Sequence, residues 1–316
     1  MQALYWDGRE LRLKSSYRAP PADSQTALVK VHLAGICATD LEIFKGYMGF
    51  RGVPGHEFVG SVSEGPKELL GKRVVGEINF ACGHCESCGR GLGRHCPNRR
   101  VMGILDADGA FAEFVGAPVA NLHVVPQDVS DEAAVFAEPL AAAFEILEQV
   151  QISPRDEVLV VGDGKLGNLC AQVLKLTGAS VTALGKHEDK LKLIQRAAVR
   201  TMLLSDWTPR LFDVVVDATG SESGLQLAMS AVRPRGTVVL KSTIAGEHKV
   251  SLAPLVIKEV TVVGSRCGPF REALNALAER SVSTTPLIEK VYSLNQAVEA
   301  VGHAAKQGSR KILLRP

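Results

Sequence analysis

Seven cysteines lie in this chain of 316 residues, and four of them fall between positions 82 and 96. The run Cys82-x-x-Cys85-x-x-Cys88, followed by Cys96, has the ligand count and close spacing of a closed tetrahedral zinc site. Gly83, Gly89, Gly91 and Gly93 oppose one regular helix, so an irregular lobe over about residues 80–98 can fold four thiolates around one ion. Disulfides are the competing reading, although three cysteines this close invite mispairing. A closed site of this kind stabilises a lobe and does no chemistry.

A second motif follows an apolar run, where Val158-Leu159-Val160-Val161 leads into Gly162-Asp163-Gly164-Lys165-Leu166-Gly167. In a G-x-G-x-x-G loop between strand and helix, the first glycine permits a tight turn and the second lets backbone approach a pyrophosphate. The third lets helix pack on strand. Gly162, Gly164, Leu166 and Gly167 are therefore expected to hold a dinucleotide at the positive N-terminus of a helix, the alternative being a tight turn that binds nothing. The next strand, about twenty residues on, ends in Gly185-Lys186-His187, where an NAD site places a carboxylate for the ribose 2′-hydroxyl. Glycine makes room for a 2′-phosphate, and Lys186 with His187 supplies donors to it. NADP(H) is expected over NAD(H), unless Glu188 or Asp189 takes the acidic role.

A third set is dispersed: Cys37 within Gly35–Asp40, then Gly55-His56-Glu57, then Glu138-Pro139. Taken singly, these read as a buried cysteine, a satisfied histidine and an ordinary helix feature. Beside a dinucleotide fold they read differently, because three S, N and O ligands with one open position make a catalytic zinc.

The elements that must position these residues come in two textures. Up to about residue 125 the chain shows short β-type segments broken by glycine and proline, among them Ala27–Val31, Phe58–Val62, Arg73–Val75 and Phe111–Val115, as in a barrel or sandwich. Ser130 then caps an apolar-periodic run through Ala142, Ile146 and Val150 that reads as one long helix. Beyond it strands and helices alternate. Strands are expected at Glu157–Val161, Val181–Leu184, Asp213–Val216, Thr237–Leu240 and Val260–Val263, with helices at Leu166–Leu176, Lys190–Ala197 and Leu225–Ala231, the pattern of a parallel sheet. Helices at Arg271–Glu279 and Leu294–Ala305 and a strand at Lys311–Leu314 close the chain.

Composition narrows the function classes. Lys and Arg number 36 against 34 Asp and Glu, and a formal charge of +2 is too small a field for a dedicated nucleic-acid binder. With 46% hydrophobic and 22% charged residues, the chain is neither disordered nor fibrous. No basic segment leads into an apolar one at the N-terminus, and no apolar stretch reaches the length of about 18 residues that a membrane span needs. A cytoplasmic protein without membrane partners is expected.

Five elements in order, G-I-C-x-T-D at 35–40, G-H-E at 55–57, the cysteine run, E-P-L at 138–140 and the glycine loop, carry a resemblance along essentially the whole chain. It resembles the zinc-containing medium-chain dehydrogenases/reductases of the alcohol dehydrogenase superfamily. The E-P-L element is similar to the branch of sorbitol, threonine and glucose dehydrogenases. The resemblance implies an α/β plus β fold: a GroES-like β-barrel catalytic domain at 1–128 and 267–316, with a Rossmann cofactor domain inserted at 129–266. It further implies Cys37 and His56 as zinc ligands, Glu57 and Glu138 holding that zinc directly or through water, and Asp40 supporting the histidine. Thr39 matches the hydroxyl that begins a proton relay, while Glu42 stands where many relatives carry a relay histidine. Arg310 is similar to an arginine that meets the cofactor pyrophosphate, and Arg266 lies where it can reach cofactor or substrate. Tyr47, Met48 and Phe50 precede the histidine and are candidates for the substrate pocket. Cys170 reads as core and Cys267 has no assigned role.

The implied activity is hydride transfer between NADP(H) and an alcohol, polyol or sugar, or the corresponding carbonyl, with two zincs per chain in a homodimer or homotetramer. A zinc-independent enone or quinone reductase of the same fold, and a non-catalytic NADPH-binding protein, are the alternatives.

Overall fold

The computed structural model describes residues 1–242 and 249–316. Two compact units emerge, Met1–Glu138 with Ile288–Pro316, and Pro139–Leu287.

The first unit begins with β1 (Ala3–Trp6), β2 (Leu11–Lys14), β3 (Thr26–Gly35), α1 (Ala38–Ile43), β4 (Glu57–Glu64) and β5 (Arg73–Gly76). It continues through β6 (Asn79–Phe80), α2 (Glu86–Gly89), β7 (Arg100–Met102), β8 (Asp106–Ala107), β9 (Phe114–Pro118), β10 (Leu122–Val124) and α3 (Asp131–Ala134). Then α4 (Ala137–Gln149) leads into the second unit.

That unit runs β11 (Glu157–Val161), α5 (Lys165–Lys175), β12 (Ser180–Gly185), α6 (Glu188–Gln195), β13 (Arg200–Leu203) and β14 (Phe212–Asp217). It is completed by α7 (Glu222–Ala231), β15 (Val232–Leu240), α8 (Ala253–Ile257), β16 (Thr261–Gly264) and α9 (Phe270–Ala278). The chain returns to the first unit through β17 (Ile288–Ser293), α10 (Ala297–Ala304) and β18 (Lys311–Arg315).

In the first unit β3 is the hub of a seven-stranded sheet ordered β10-β5-β4-β3-β18-β17, with β9 also paired to β3. Seven of its ten residues are buried, which is why an almost uninterrupted apolar run suits this central strand. The last strand, β18, lies antiparallel to β3, so the C-terminal segment reaches the residues around Gly35.

The second unit is a parallel sheet ordered β13-β12-β11-β14-β15-β16. Val158–Val161 and Val214–Val216 are buried, as strands covered by helices on both faces must be. Strand order reverses between β11 and β14, which opens a ligand crevice at their carboxyl ends.

The units part at 138/139 and 287/288, later than the 128/129 and 266/267 expected from the sequence. Asp131 explains the first shift, since its Oδ2 lies 2.7 Å from His32 Nδ1 and its Oδ1 accepts from Arg73 Nη1 at 2.8 Å, tying α3 to the first sheet. Gln172 explains the second, exchanging two hydrogen bonds with the backbone of Ser283. The single long helix expected after Ser130 is two, α3 and α4. Pro139 has no N–H to give and its ring would crowd the carbonyl of Val135, so it requires a fresh helix start at Ala137.

Candidate active site and dinucleotide loop

Cys37 is the N-cap of α1, two residues past the end of β3; His56 immediately precedes β4, which Glu57 opens. The antiparallel register sets Gly35 opposite Glu57, which carries Cys37 beside His56. One ligand atom from each of Cys37, His56 and Glu57 falls within a span of 4.8 Å.

Asp40, fully buried in the first turn of α1, orients this set. Its Oδ2 accepts the Cys37 backbone N–H at 2.8 Å, and its Oδ1 lies 3.1 Å from His56 Nδ1. With Nδ1 engaged by a carboxylate, Nε2 is left for a cation. Burial opposes a charged imidazole, but Asp40, with Cys37 behind it, holds the pKa of His56 well above its ordinary value.

Glu57 is buried and its two oxygens differ. Oε2 bonds Lys311 Nζ on β18, whereas Oε1 is buried with no hydrogen-bond partner among the described residues. An orphaned carboxylate oxygen beside a thiol and an imidazole is the donor set a zinc with one open position takes, so the residues fit such an ion. Gly35 is required here, because a Cβ on it would stand 2.2 Å from Glu57 Oε2. Burial disfavours the Lys311 cation, yet Glu57, then Cys37 and Asp40, keep its pKa above the usual lysine value.

Glu138, in the first turn of α4, stands outside the 4.8 Å set. Thr39 Oγ1 is 3.9 Å from Cys37 Sγ. Glu42 accepts from Lys45 Nζ at 2.7 Å on the surface. Phe50 is buried, whereas Met48 is exposed with φ 59°. Lys311 was not legible as a site residue: a lysine opening an apolar strand looks like a strand end, and its partner is 254 positions away.

The cysteine lobe leaves the sheet between β6 and β7, whose pairing closes its base. All four sulfurs lie within 4.8 Å of one another. Zinc–sulfur bonds of about 2.3 Å imply tetrahedral edges of about 3.8 Å. The lobe has Cys85–Cys88 at 3.5 Å, Cys85–Cys96 at 3.7 Å and Cys82–Cys88 at 4.0 Å, so its geometry fits one ion. The His84 N–H, foremost, lowers Cys82 to about 6. Cys85 is raised to about 11: the Cys88 N–H favours its thiolate, but desolvation and the neighbouring sulfurs outweigh it. Four thiolates together therefore require a cation.

In the second unit the three loop glycines have separate duties. Gly162 adopts φ 119°, a Cβ on Gly164 would meet nothing within 4 Å, and one on Gly167 would stand 2.0 Å from the Gly162 carbonyl oxygen. The turn, the open approach and the close helix packing of a dinucleotide loop are all present at the N-terminus of α5, where Leu166 lies in the first turn. Past Gly185 a finding corrects the sequence reading of a ribose end without a carboxylate. Asp163 Oδ2 accepts the backbone N–H groups of Lys186 at 2.6 Å and His187 at 2.7 Å.

Arg310, just before β18, gives its backbone N–H to Glu289 at 2.7 Å and belongs to the first unit. Arg266 Nη1 lies 3.6 Å from Cys267 Sγ. Burial pushes the Cys170 thiol up to about 11, as for a core residue. Lys241, buried at the end of β15, donates to the Ala142 carbonyl at 2.5 Å and to Ser265 Oγ at 3.1 Å.

Comparison with known proteins agrees with this construction. Residues 23–127 match the alcohol dehydrogenase GroES-like domain, and residues 166–282 match the zinc-binding dehydrogenase family. D-arabinitol dehydrogenase 1 of Uromyces fabae is 29% identical over 342 aligned positions, covering 100% of this chain and 97% of that protein. A zinc-binding dehydrogenase from Sinorhizobium meliloti 1021 bound to NADP superposes with a TM-score of 0.91 at 26% identity, covering 100% of this chain and 99% of that one. An alcohol dehydrogenase from Escherichia coli CFT073 complexed with NADH gives the same TM-score, 0.91, the same identity, 26%, and the same coverage, 100% and 99%. The chain belongs to the zinc-type medium-chain dehydrogenases of the alcohol dehydrogenase superfamily.

Proposed function

We propose that this protein is a zinc-dependent dehydrogenase that interconverts an alcohol, polyol or sugar with the corresponding carbonyl, using a nicotinamide dinucleotide. The observation that carries the reading is the set of half-buried Cys37 with buried His56 and Glu57, and the orphaned carboxylate oxygen of the last. The polyol substrate of the Uromyces relative and the nicotinamide cofactors of the two structural neighbours support the substrate class and the cofactor.

When bound, zinc supplies Lewis acidity toward the substrate oxygen and the dinucleotide supplies hydride exchange. The protein's own residues prepare the site. Cys37 and His56 hold the ion, and Asp40 fixes both, through the backbone of one and the ring of the other. Lys311 neutralises one Glu57 oxygen, so that the other can approach the ion directly or through water. Thr39 Oγ1 accepts a hydrogen bond from the substrate hydroxyl and passes its own proton onward, as the first member of a relay. Glu138 supports the same ion from outside the compact set. Gly162, Gly164, Leu166 and Gly167 bind the pyrophosphate.

The cysteine lobe takes a second zinc, making two per chain. A homodimer fits the second unit, where Leu252, Val256 and Ile257 of the α8 region are exposed and β16 is the terminal strand of its sheet. Among the described residues no helix is long and apolar enough to cross a membrane.

Metal analysis with steady-state assays tests the assignment. The wild type is expected to hold two zincs, and Cys37→Ser or His56→Ala to retain one and lose turnover on a panel of polyols, sugars and simple alcohols. Full turnover in either variant would return the protein to the zinc-independent reductases.

A further inference from the structure

A carboxylate in the middle of a phosphate-binding loop needs a reason, because negative charge beside a pyrophosphate is unfavourable. Asp163 is turned away from the helix N-terminus and toward the end of β12. Besides the two backbone N–H groups it accepts, its Oδ2 and Oδ1 lie 3.0 and 3.1 Å from His187 Nδ1. Its side chain is only 9% exposed. A Cβ on Gly185 would stand 2.5 Å from Asp163 Oδ2, so the volume cleared by that glycine is already filled by this carboxylate.

We infer that Asp163 is the cofactor-selecting residue, delivering from the glycine loop the carboxylate that NAD sites carry at the end of the second strand, and thereby favouring NAD(H) over NADP(H). The inference rests on the reading of Gly162–Gly167 as a dinucleotide loop. Three features of the geometry support it. The backbone N–H groups of Lys186 and His187, which could cradle a 2′-phosphate, are taken by Asp163. The carboxylate lies at the end of β12, where NAD sites carry their acidic residue, and like charges at close range disfavour a 2′-phosphate there. Oδ1 keeps lone-pair capacity for a ribose hydroxyl, since a carboxylate accepts at about four sites. Gly185 then accommodates Asp163, which reverses the preference suggested by Gly185-Lys186-His187 alone.

The test is equilibrium binding, with Kd read from the fluorescence of NADH and NADPH on the purified protein. The wild type is expected to bind NADH at least about tenfold more tightly than NADPH, and Asp163→Ala to shrink that ratio by about tenfold or more, chiefly by tightening NADPH. Equal or tighter NADPH binding by the wild type overturns the inference, as does an unchanged ratio in the variant. Displacement of NADH from the wild type by 5′-AMP and by 2′,5′-ADP needs no variant: 5′-AMP must compete better, and a stronger 2′,5′-ADP overturns the inference even where Asp163→Ala fails to fold. If neither NADH nor NADPH binds, the dinucleotide reading itself is lost.

Discussion

Asp40 shares its two oxygens between Cys37 and His56, so a single buried carboxylate sets the cysteine's backbone and the ring orientation of the histidine. Replacing it with asparagine keeps the volume and removes the charge. Asp40→Asn is expected to weaken retention of the catalytic zinc by about tenfold to a hundredfold, measured as release to a chelator, while the cysteine-lobe zinc stays. Equal release from wild type and variant would show that Asp40 only packs. Lys311 and Glu57 make the other exchange at this scale. Lys311→Met strands a buried carboxylate and is expected to cost about 3 kcal/mol in denaturant unfolding, with a loss under about 1 kcal/mol counting against the pair. Cys37 and His56 were legible as candidates only in combination, since each alone reads as an ordinary buried residue and the set reads as metal chemistry only beside a dinucleotide fold. Lys311 was not, because only the pairing of β18 with β3 brings it to Glu57.

At the scale of elements, the irregular lobe between β6 and β7 and the tight entry to α5 make separate demands. The lobe has little apolar surface of its own, with Cys96 its buried ligand. Cys96→Ser is expected to remove one zinc and to make the segment between Phe80 and Arg100 the first site of limited proteolysis, with wild-type resistance as the contrary result. At α5 the demand is closeness. A side chain at Gly167 would enter the Gly162 carbonyl, so Gly167→Val is expected to abolish dinucleotide binding and lower the melting temperature together. The start of α5 was legible to within a residue because glycine chemistry is local. The break between α3 and α4 was missed because apolar periodicity runs straight through it, although Pro139 carried the signal.

For the whole molecule, two unlike architectures come from one chain, and the C-terminal strand β18 belongs to the sheet formed at the start. The second unit leaves Val256 76% and Ile257 82% exposed, large apolar residues beside a terminal strand. If the proposed homodimer forms through this face, Ile257→Glu is expected to convert it to a monomer in light scattering while the unfolding midpoint of the isolated chain changes little. A wild type that is monomeric at micromolar concentration would contradict the assembly.

The amino-acid order alone determined whatever depends on near neighbours: the glycine turn into α5, the spacing of four sulfurs and the alternation that makes a parallel sheet. Steric limits and periodicity act over a few residues, so these can be read without coordinates. Tertiary packing alone decided which distant side chain meets Glu57, where Asp163 points, and where one unit yields to the next. Each of those depends on strands brought side by side from remote parts of the chain, and no local property of Lys311 or Gly185 carries the identity of the partner that folding places against it.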